Sequence, residues 1–242
     1  MNSVTLNHLT VEAAIIDLDG TMVDTLGDFV AAINLMLCDV LPPPTPKMSR
    51  EAVEKMVGKG SEHLIASVLN YLAAQYPWAQ AAIDKEASSV LPCFDAAFAS
   101  YQNHYLAING QHAQVYPGVL AGLQGLQQAG LKLACLTNKP LAFAQALLRL
   151  KGLDGFFRHV FGGDSFALKK PDPTPVLGTC EALATLPSRT LMIGDSSNDA
   201  LAARSAGCPV VLVTYGYNHG EPVRSVDADG FVDSLAELQM LQ

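Results

Sequence analysis

Three apolar runs, each followed directly by a polar cluster, constrain the fold of this chain more than any other feature. The runs extend from Val11 to Ile16, from Leu131 to Leu136 and from Thr190 to Ile193. The clusters after them are Asp17-Leu18-Asp19-Gly20-Thr21, Thr137-Asn138-Lys139 and Gly194-Asp195-Ser196-Ser197-Asn198-Asp199. Because a carboxylate is costly to bury in a core, such clusters are expected at a surface or in a cleft. Open α/β sheets bind ligands at the carboxyl ends of their strands, so the clusters predict one polar site there.

The second half of the chain alternates between predicted strands and predicted helices. Beyond the apolar runs, short strands are expected at His159 to Phe161 and at Pro209 to Val213. The predicted helices are Gly118 to Ala129, Pro140 to Leu150, Pro173 to Ala184, Asn198 to Ala206 and Asp233 to Leu241. Alternation of this kind is typical of crossover units and predicts an α/β fold with a parallel sheet.

Residues 28–112 follow a different pattern, in which no convincing strand occurs. An apolar stripe at helical spacing is formed by Leu64, Ile65, Val68, Leu69 and Leu72. A further helix is expected from Ala96 to Leu106. The simplest topology is an all-helical domain of residues 28–112, inserted into an α/β core of residues 1–27 and 113–242.

Charge and hydrophobicity exclude several classes of function. The net charge is −8 and no run of Lys or Arg occurs, so neither nucleic acid nor an anionic membrane is expected as a partner. No apolar stretch is long enough to cross a bilayer, and the first residues lack the pattern of a secretory signal. The five cysteines are scattered without a CxxC pair, which argues against a zinc site and favours free thiols. We therefore predict a cytoplasmic location, where thiols stay reduced.

The charged residues of the clusters suggest a metal-assisted reaction. They comprise Asp17, Asp19, Asp195, Asp199 and Lys139, and a fourth cluster, Lys170-Pro171, adds Lys170. The local charge is then −2. A divalent cation would neutralise this charge, and a set of oxygen donors favours Mg²⁺. Gly20 permits a turn in which Asp17 and Asp19 converge, so that one could attack an electrophile while the other transfers a proton.

Each cluster taken alone also has an ordinary structural interpretation. Asp17 and Asp19 form an Asp-x-Asp pair, which is common in turns, and Thr137 with Asn138 could cap a helix. Lys170-Pro171 could be a solvated loop, and Gly194-Asp195 could be a strand-to-helix turn. The occurrence of all four in this order, three of them at predicted strand ends, favours a functional site.

The four clusters resemble the signature motifs of the haloacid dehalogenase superfamily of aspartate-nucleophile phosphatases. The matching positions are Asp17-x-Asp19-Gly20-Thr21, Thr137, Lys170 and Gly194-Asp195-x-x-x-Asp199. The predicted helical insertion lies where that superfamily places its first type of cap. The resemblance therefore implies a Rossmann-like parallel sheet core with an inserted all-helical cap domain.

Further stretches are similar to bacterial phosphoglycolate phosphatases. These are Val57-Gly58-Lys59-Gly60, Tyr116-Pro117-Gly118-Val119, Gly162-Gly163-Asp164-Ser165, Lys170-Pro171-Asp172-Pro173 and Thr214-Tyr215-Gly216-Tyr217-Asn218-His219-Gly220. The similarity implies a Mg²⁺-dependent enzyme, a monomer or homodimer, that hydrolyses 2-phosphoglycolate to glycolate and phosphate. Alternatives are a phosphatase for pyrophosphate or other small phosphate esters, a sugar-phosphate mutase, and a non-catalytic protein that binds a small phosphorylated metabolite. Dehalogenase activity is disfavoured, because C–halogen chemistry does not need the acid that Asp19 supplies.

The resemblance also implies the roles of the reacting and metal-binding residues. Asp17 would be the nucleophile that forms an aspartyl-phosphate. Asp19 would protonate the leaving oxygen and then activate water, which requires a protonated carboxyl group when substrate arrives. Asp17, the backbone carbonyl of Asp19, and Asp195 would bind Mg²⁺, while Asp199 would orient the metal's water shell or Lys170.

The remaining predicted contacts concern the phosphoryl group and the rest of the substrate. Thr137, the backbone amide of Asn138 and Lys170 would hold the phosphoryl oxygens. In the predicted cap, Lys59 and Gly60 are the candidates for contact with the substrate carboxylate, ahead of Arg50 and Lys55. The alternative is that the glycines beside Lys59 begin a helix and that Lys59 is solvated.

Overall fold

The computed structural model describes residues 4–6, 9–76 and 91–239, with side chains from residue 10 onward except at 91–93. Residues 77–90 of the predicted cap and the end of the last predicted helix lie outside this range. The described residues form the strands β1 (Val4–Leu6), β2 (Leu9–Val11), β3 (Ala13–Ile16), β4 (Val23–Asp24), β5 (Gln114–Val115), β6 (Lys132–Leu136), β7 (His159–Phe161), β8 (Thr190–Gly194), β9 (Val210–Val213) and β10 (Gly230–Val232).

Eight α-helices and several single-turn 3₁₀ helices accompany these strands within the described ranges. The α-helices are α1 (Leu26–Val40), α2 (Arg50–Glu54), α3 (Ser61–Gln75), α4 (Leu91–Ile108), α5 (Val119–Gln128), α6 (Leu141–Leu150), α7 (Thr174–Leu183) and α8 (Ser197–Ala206).

Six strands form one parallel sheet in the order β10-β9-β8-β3-β6-β7. The central strand β3 pairs with β6 on one side and β8 on the other, so that Ile16 lies level with Cys135 and Ile193. All four residues of β3 are buried, as expected for a parallel strand covered on both faces. The carboxyl ends of β3, β6 and β8 therefore lie side by side, and the predicted parallel sheet is confirmed.

Helices cover both faces of the sheet, because successive strand residues point to opposite sides. Ala14 and Ile16 belong to a core cluster that includes Leu123 of α5 and Leu147 of α6. The alternate residues of β3 pack instead in a second cluster, which contains Val176 of α7 and Ala203 of α8. This arrangement fixes β3 tightly and holds its carboxyl end in place.

Helices α1 to α4 share a third core, separate from the two beside the sheet. The predicted apolar stripe of α3 is buried there, together with Tyr101 and Tyr105 of α4. The chain enters and leaves this helical unit next to an antiparallel pair, in which β4 lies beside β5. The predicted domain bounds at 28 and 112 stay a prediction. Within the described residues, no helix combines the length and apolar character needed to span a membrane.

Two predicted elements differ from the structure. The run from Val11 to Ile16 is divided, because Val11 pairs with Val4 in an antiparallel hairpin and β3 begins only at Ala13. The helix expected from Asp233 is a 3₁₀ segment, Leu235–Gln239, within the described range. Burial of Leu235 and Leu238 against the first core accounts for the apolar pattern that suggested a longer helix.

Candidate active site

Asp17 is the first residue after the central strand, and its position is set by the sheet. Its N–H donates to the carbonyl of Ile193 at 2.9 Å, which continues the pairing of β3 with β8. One carboxylate oxygen accepts a hydrogen bond from Lys170 Nζ at 2.8 Å. The other accepts from Thr21 Oγ1 at 3.3 Å, so the side chain is held on both sides.

Lys170 is a buried cation held by three acceptors. Besides Asp17, its Nζ donates to Asp199 Oδ1 at 2.6 Å and to the carbonyl of Leu136 at 2.9 Å. Burial opposes the charge, but the carboxylates of Asp17 and Asp199 outweigh it and raise the pKa of Lys170. Since an ammonium has three N–H groups, the structure occupies all of them. Lys170 is therefore fixed as a positive charge beside Asp17.

Three buried carboxylates converge next to Lys170. Ligand oxygens of Asp17, Asp195 and Asp199 lie within 4.8 Å of one another. Burial raises the pKa of Asp17 to about 7, despite the opposing effect of Lys170. Burial, with the nearby charges of Asp199 and Asp17, also raises the pKa of Asp195. One lysine does not balance three carboxylates, and the donors are all oxygens, so these residues fit Mg²⁺.

Asp199 organises the loop that leads into α8. Its Oδ2 accepts from the backbone N–H groups of Asp195 and Ser196, each at 3.2 Å, and from the Ser196 hydroxyl at 2.9 Å. Its Oδ1 accepts from Lys170. Both carboxylate oxygens are therefore engaged, and the side chain orients Lys170 and the loop that carries Asp195.

Asp19 is bonded to Lys139 rather than to Lys170. Its Oδ1 accepts a hydrogen bond from Lys139 Nζ at 3.0 Å, and the two side chains are 12% and 3% exposed. Gly20 has φ +85°, and a Cβ there would lie 2.2 Å from Asp195 Oδ2, so this turn requires glycine. The turn places Asp17 and Asp19 on one cleft with their carboxylates directed to different lysines.

Asn138 links the core of the site to the helical unit. Its side-chain N–H groups donate to the carbonyls of Lys170 at 2.8 Å and Gly58 at 3.0 Å. Its Oδ1 accepts from the backbone N–H of Lys170 at 3.0 Å. The carbonyl of Gly58 also accepts from Asn198 Nδ2 at 3.1 Å. Two asparagines at the sheet edge thus hold one peptide group of the helical unit.

A cleft of about 660 Å³, its open mouth included, lies between the sheet edge and the helical unit. Its lining includes these predicted residues: Asp17, Asp19, Gly60, Thr137, Asn138, Lys170, Asp195 and Asp199. Lys59 is exposed and lies outside the lining, and Arg50 and Lys55 are exposed as well. The structure thus brings together all of the predicted site residues except Lys59.

The lining also contains residues to which the sequence assigned no binding role. Lys139 was counted only as a charge, although it directly follows Thr137 and Asn138. Tyr105 and Phe29 reach the cleft from α4 and α1, and no sequence motif marks them. His219 lines the cleft as well, and burial lowers its pKa. Its place in the cluster that follows the strand Leu131 to Leu136 was the sequence signal that could have identified Lys139.

Comparisons with known proteins agree with this geometry. Residues 11–207 match the family model described as haloacid dehalogenase-like hydrolase. A phosphoglycolate phosphatase of Thiobacillus denitrificans is 40% identical over 233 residues, which is 96% of each chain. A plasmid-encoded phosphoglycolate phosphatase of Cupriavidus necator is 40% identical over 235 residues, covering 96% of this chain and 94% of that one.

A solved structure shows the same fold over nearly the whole chain. It is described as a predicted phosphoglycolate phosphatase from Haemophilus somnus, with a TM-score of 0.85 and 32% identity. The likeness covers 96% of this chain and 98% of that one. The family match, the relatives and the four motifs at one sheet edge agree, and the chain belongs to the haloacid dehalogenase-like hydrolases.

Proposed function

We propose that this protein is a Mg²⁺-dependent phosphatase that hydrolyses 2-phosphoglycolate to glycolate and phosphate. The observation that carries the chemistry is the Asp17 carboxylate, held 2.8 Å from Lys170 at the end of the central strand. The substrate is supported by 40% identity over 96% of the chain to relatives named for that activity. A small cleft with buried charges of both signs suits a small anionic ester.

In the first half-reaction, a carboxylate oxygen of Asp17 attacks phosphorus and the bond from phosphorus to the ester oxygen breaks. The ester oxygen takes a proton from Asp19 and leaves as the hydroxyl group of glycolate. In the second half-reaction, Asp19 accepts a proton from water as that water attacks the aspartyl-phosphate. Phosphate leaves and the Asp17 carboxylate is regenerated, so one difficult step becomes two easier ones.

Lys170 keeps the Asp17 carboxylate in position and stabilises negative charge on the transferring group. Because its ammonium is bonded to both Asp17 and Asp199, little reorganisation is needed when the phosphoryl group arrives. Thr137 and the backbone amide of Asn138 would hold other phosphoryl oxygens, since both residues line the cleft. These contacts orient phosphorus toward Asp17.

Asp17, the backbone carbonyl of Asp19, and Asp195 would hold the Mg²⁺ ion. When bound, the ion supplies positive charge that stabilises the phosphoryl oxygens and reduces their repulsion of Asp17. Asp199 would serve this site indirectly, since both of its carboxylate oxygens are already engaged by Lys170 and the Asp195 loop. The carboxylate of Asp19 is not among these metal ligands and would transfer protons beside Lys139, which donates to its Oδ1.

The helical unit would act as the cap that covers the substrate. Gly60 lines the cleft, so its backbone can approach a bound ligand closely. Lys59 is exposed and lies outside the lining of the cleft, so this structure gives its side chain no contact with the site. We further infer that the enzyme acts in the cytoplasm, as a monomer or homodimer, on a small phosphorylated metabolite, with no nucleic-acid or membrane partner.

The test is phosphate release by the purified protein from 2-phosphoglycolate, beside sugar phosphates, nucleotides and pyrophosphate, with Mg²⁺ or with EDTA. We expect Mg²⁺-dependent release, with kcat/KM for 2-phosphoglycolate about 100-fold above the other compounds. Similar kcat/KM values for all of the compounds would refute 2-phosphoglycolate as the specific substrate but would still identify a phosphatase. Transfer of phosphate between positions of a sugar, without release, would instead identify a mutase.

A further inference from the structure

Lys139 is a buried cation on the side of the cleft that faces the helical unit. Its side chain is 3% exposed, and Nζ donates to Asp19 Oδ1 at 3.0 Å and to the Tyr105 hydroxyl at 2.6 Å. The same nitrogen lies 4.7 Å from the ring centroids of both Phe29 and Tyr105. Aromatic faces stabilise a desolvated ammonium, which would otherwise be costly to bury. Asp19, Tyr105 and Phe29 thus compensate for the burial of the Lys139 ammonium.

Lys139 differs from the other basic groups of the cleft in its spare hydrogen-bonding capacity. Two of its three N–H groups have acceptors among the described residues, whereas Lys170 uses all three. Burial and the nearby charge of Lys59 lower the pKa of His219, which favours the neutral imidazole. Among the described residues that line the cleft, Lys139 is thus the cation that can still bind an anion.

The position of Lys139 matches one end of the proposed substrate. In 2-phosphoglycolate, the carboxylate carbon is two bonds from the ester oxygen that Asp19 would protonate. Lys139 Nζ is one hydrogen bond from the Asp19 carboxylate, whereas Lys170 is bonded to Asp17 and Asp199. Lys170 serves the phosphoryl end, and Lys139 lies within reach of a group attached just beyond the ester oxygen.

We propose that Lys139 is a specificity-determining residue that binds the substrate carboxylate through its third N–H group. The inference rests on the proposed function, because it assigns a carboxylate to the organic part of the substrate. Asp19 and Tyr105 orient the ammonium, and the rings of Phe29 and Tyr105 exclude water from it. A charge-assisted hydrogen bond in such a site discriminates strongly against a ligand that lacks the anion.

The experiment compares two substrates in Lys139→Met. Ethyl phosphate replaces the carboxylate of 2-phosphoglycolate by a methyl group, so the ratio of the two kcat/KM values measures carboxylate recognition. We expect this ratio to fall by about 10- to 100-fold in the variant, which corresponds to the loss of one charged hydrogen bond. A disturbance of Asp19 would slow ethyl phosphate at least as much, because ethoxide is the poorer leaving group and depends more on protonation, so it cannot by itself lower the ratio. An unchanged ratio would overturn the proposal.

Two further variants guard against a folding defect and separate charge from size. Lys139→Arg retains the cation, so it should preserve more of the preference than Lys139→Met. Lys139→Gln keeps an N–H donor for Asp19 without the charge, and its ratio should fall as it does in Lys139→Met. A ratio in Lys139→Gln equal to that of the wild type would contradict a charge-based contact. Thermal unfolding of each variant shows whether it folds.

Lys47→Met is the matched control, since Lys47 is an exposed lysine of the helical unit outside the cleft lining. It removes the same charge and should leave the ratio unchanged. Lys59→Met tests the rival contact from the loop that carries Gly58. If Lys59→Met abolishes the preference and Lys139→Met does not, carboxylate recognition belongs to that loop and the proposal is wrong.

The wild-type ratio separates this inference from the proposed function. A wild type without preference for 2-phosphoglycolate over ethyl phosphate would overturn both. A wild-type preference that Lys139→Met retains would overturn only the role of Lys139. Calorimetry of 2-phosphoglycolate binding to Asp17→Asn, with and without Lys139→Met, gives a second readout that does not depend on turnover. We expect roughly 10-fold weaker binding in the double variant.

Discussion

The two walls of the cleft hold their charged groups in different ways. At the sheet edge, Lys170 is bonded to two carboxylates and a backbone carbonyl, and every partner comes from the α/β core. Facing the helical unit, Lys139 is bonded to one carboxylate and to a tyrosine hydroxyl from α4. The first wall is rigid and electrostatically crowded, which suits chemistry common to a whole family. The second depends on side chains from the inserted helices, which suits selection of one substrate.

The largest effect is expected when the proposed nucleophile, Asp17, is removed from the first wall. Asp17→Asn should lower kcat by about 10⁴-fold or more, because no aspartyl-phosphate can form. Substrate binding should survive, since Lys139 and Thr137 are untouched. Single-turnover phosphate release and calorimetry on the same preparation measure the two effects. Retained turnover in Asp17→Asn would refute covalent catalysis by this residue.

Removing the cation of the first wall should damage both activity and stability. Lys170→Met leaves the buried carboxylates of Asp17 and Asp199 without their shared partner, and breaking such a pair typically costs about 3–5 kcal/mol. The loss of charge stabilisation should lower kcat by roughly 10²–10³-fold. Urea unfolding and steady-state kinetics measure these losses.

The matched variant on the second wall is Lys139→Met, in which the loss should fall mainly on 2-phosphoglycolate. A uniform loss for every substrate in both variants would mean that the two walls do not divide chemistry from selection. A loss in Lys170→Met that differs between substrates would show that the first wall also takes part in substrate selection, which would contradict this division.

The pH dependence of Mg²⁺ binding tests the carboxylate cluster. Burial raises the pKa of Asp17 from 3.8 to about 7, so between these values the folded state keeps a proton that the unfolded state has lost. The free energy of unfolding of the metal-free protein should therefore fall as pH rises through this interval. Mg²⁺ must replace that proton, so it should raise Tm more at pH 8 than at pH 5.

Thermal unfolding with MgCl₂, against NaCl at equal ionic strength, measures this difference. Asp17→Asn is the matched variant, because it removes one of the two carboxyl groups with raised pKa values and should reduce the pH dependence of the Mg²⁺ effect. An equal rise in Tm at both pH values in the wild type would contradict a cation site at these carboxylates.

The sequence predicted the first wall better than the second, for a physical reason. An apolar run followed by a polar cluster is local information, and parallel pairing then brings Asp17, Thr137 and Asp195 to one edge. The contact of Lys139 with Tyr105 joins residues 34 positions apart in different structural units, and no local pattern encodes it.

The helical unit illustrates the same limit in two other places. The apolar stripe of α3 was predicted correctly, because helical spacing is a local property. The flanking glycines drew attention to Lys59, but the direction of its side chain depends on how the loop packs, and it is exposed. The link between Gly58 and Asn198 spans 140 positions and was not predicted. The contacts between the helical unit and the sheet edge join residues that are far apart in the sequence, so local sequence patterns do not predict them.

The smallest effect is expected from substitution of Asn138 or Asn198, the two asparagines that link the sheet edge to the helical unit. Asn198→Ala removes one donor from the Gly58 carbonyl, whereas Asn138→Ala removes the other and also the two contacts that brace the Lys170 backbone. A hydrogen bond contributes about 0.5–1.5 kcal/mol, so Asn198→Ala should raise KM roughly 2- to 10-fold with little change in kcat. Asn138→Ala should lower kcat as well, because Lys170 loses its support. Equal effects of the two substitutions on kcat would show that Asn138 does not position Lys170, and that the rigidity of the first wall comes from the carboxylates alone.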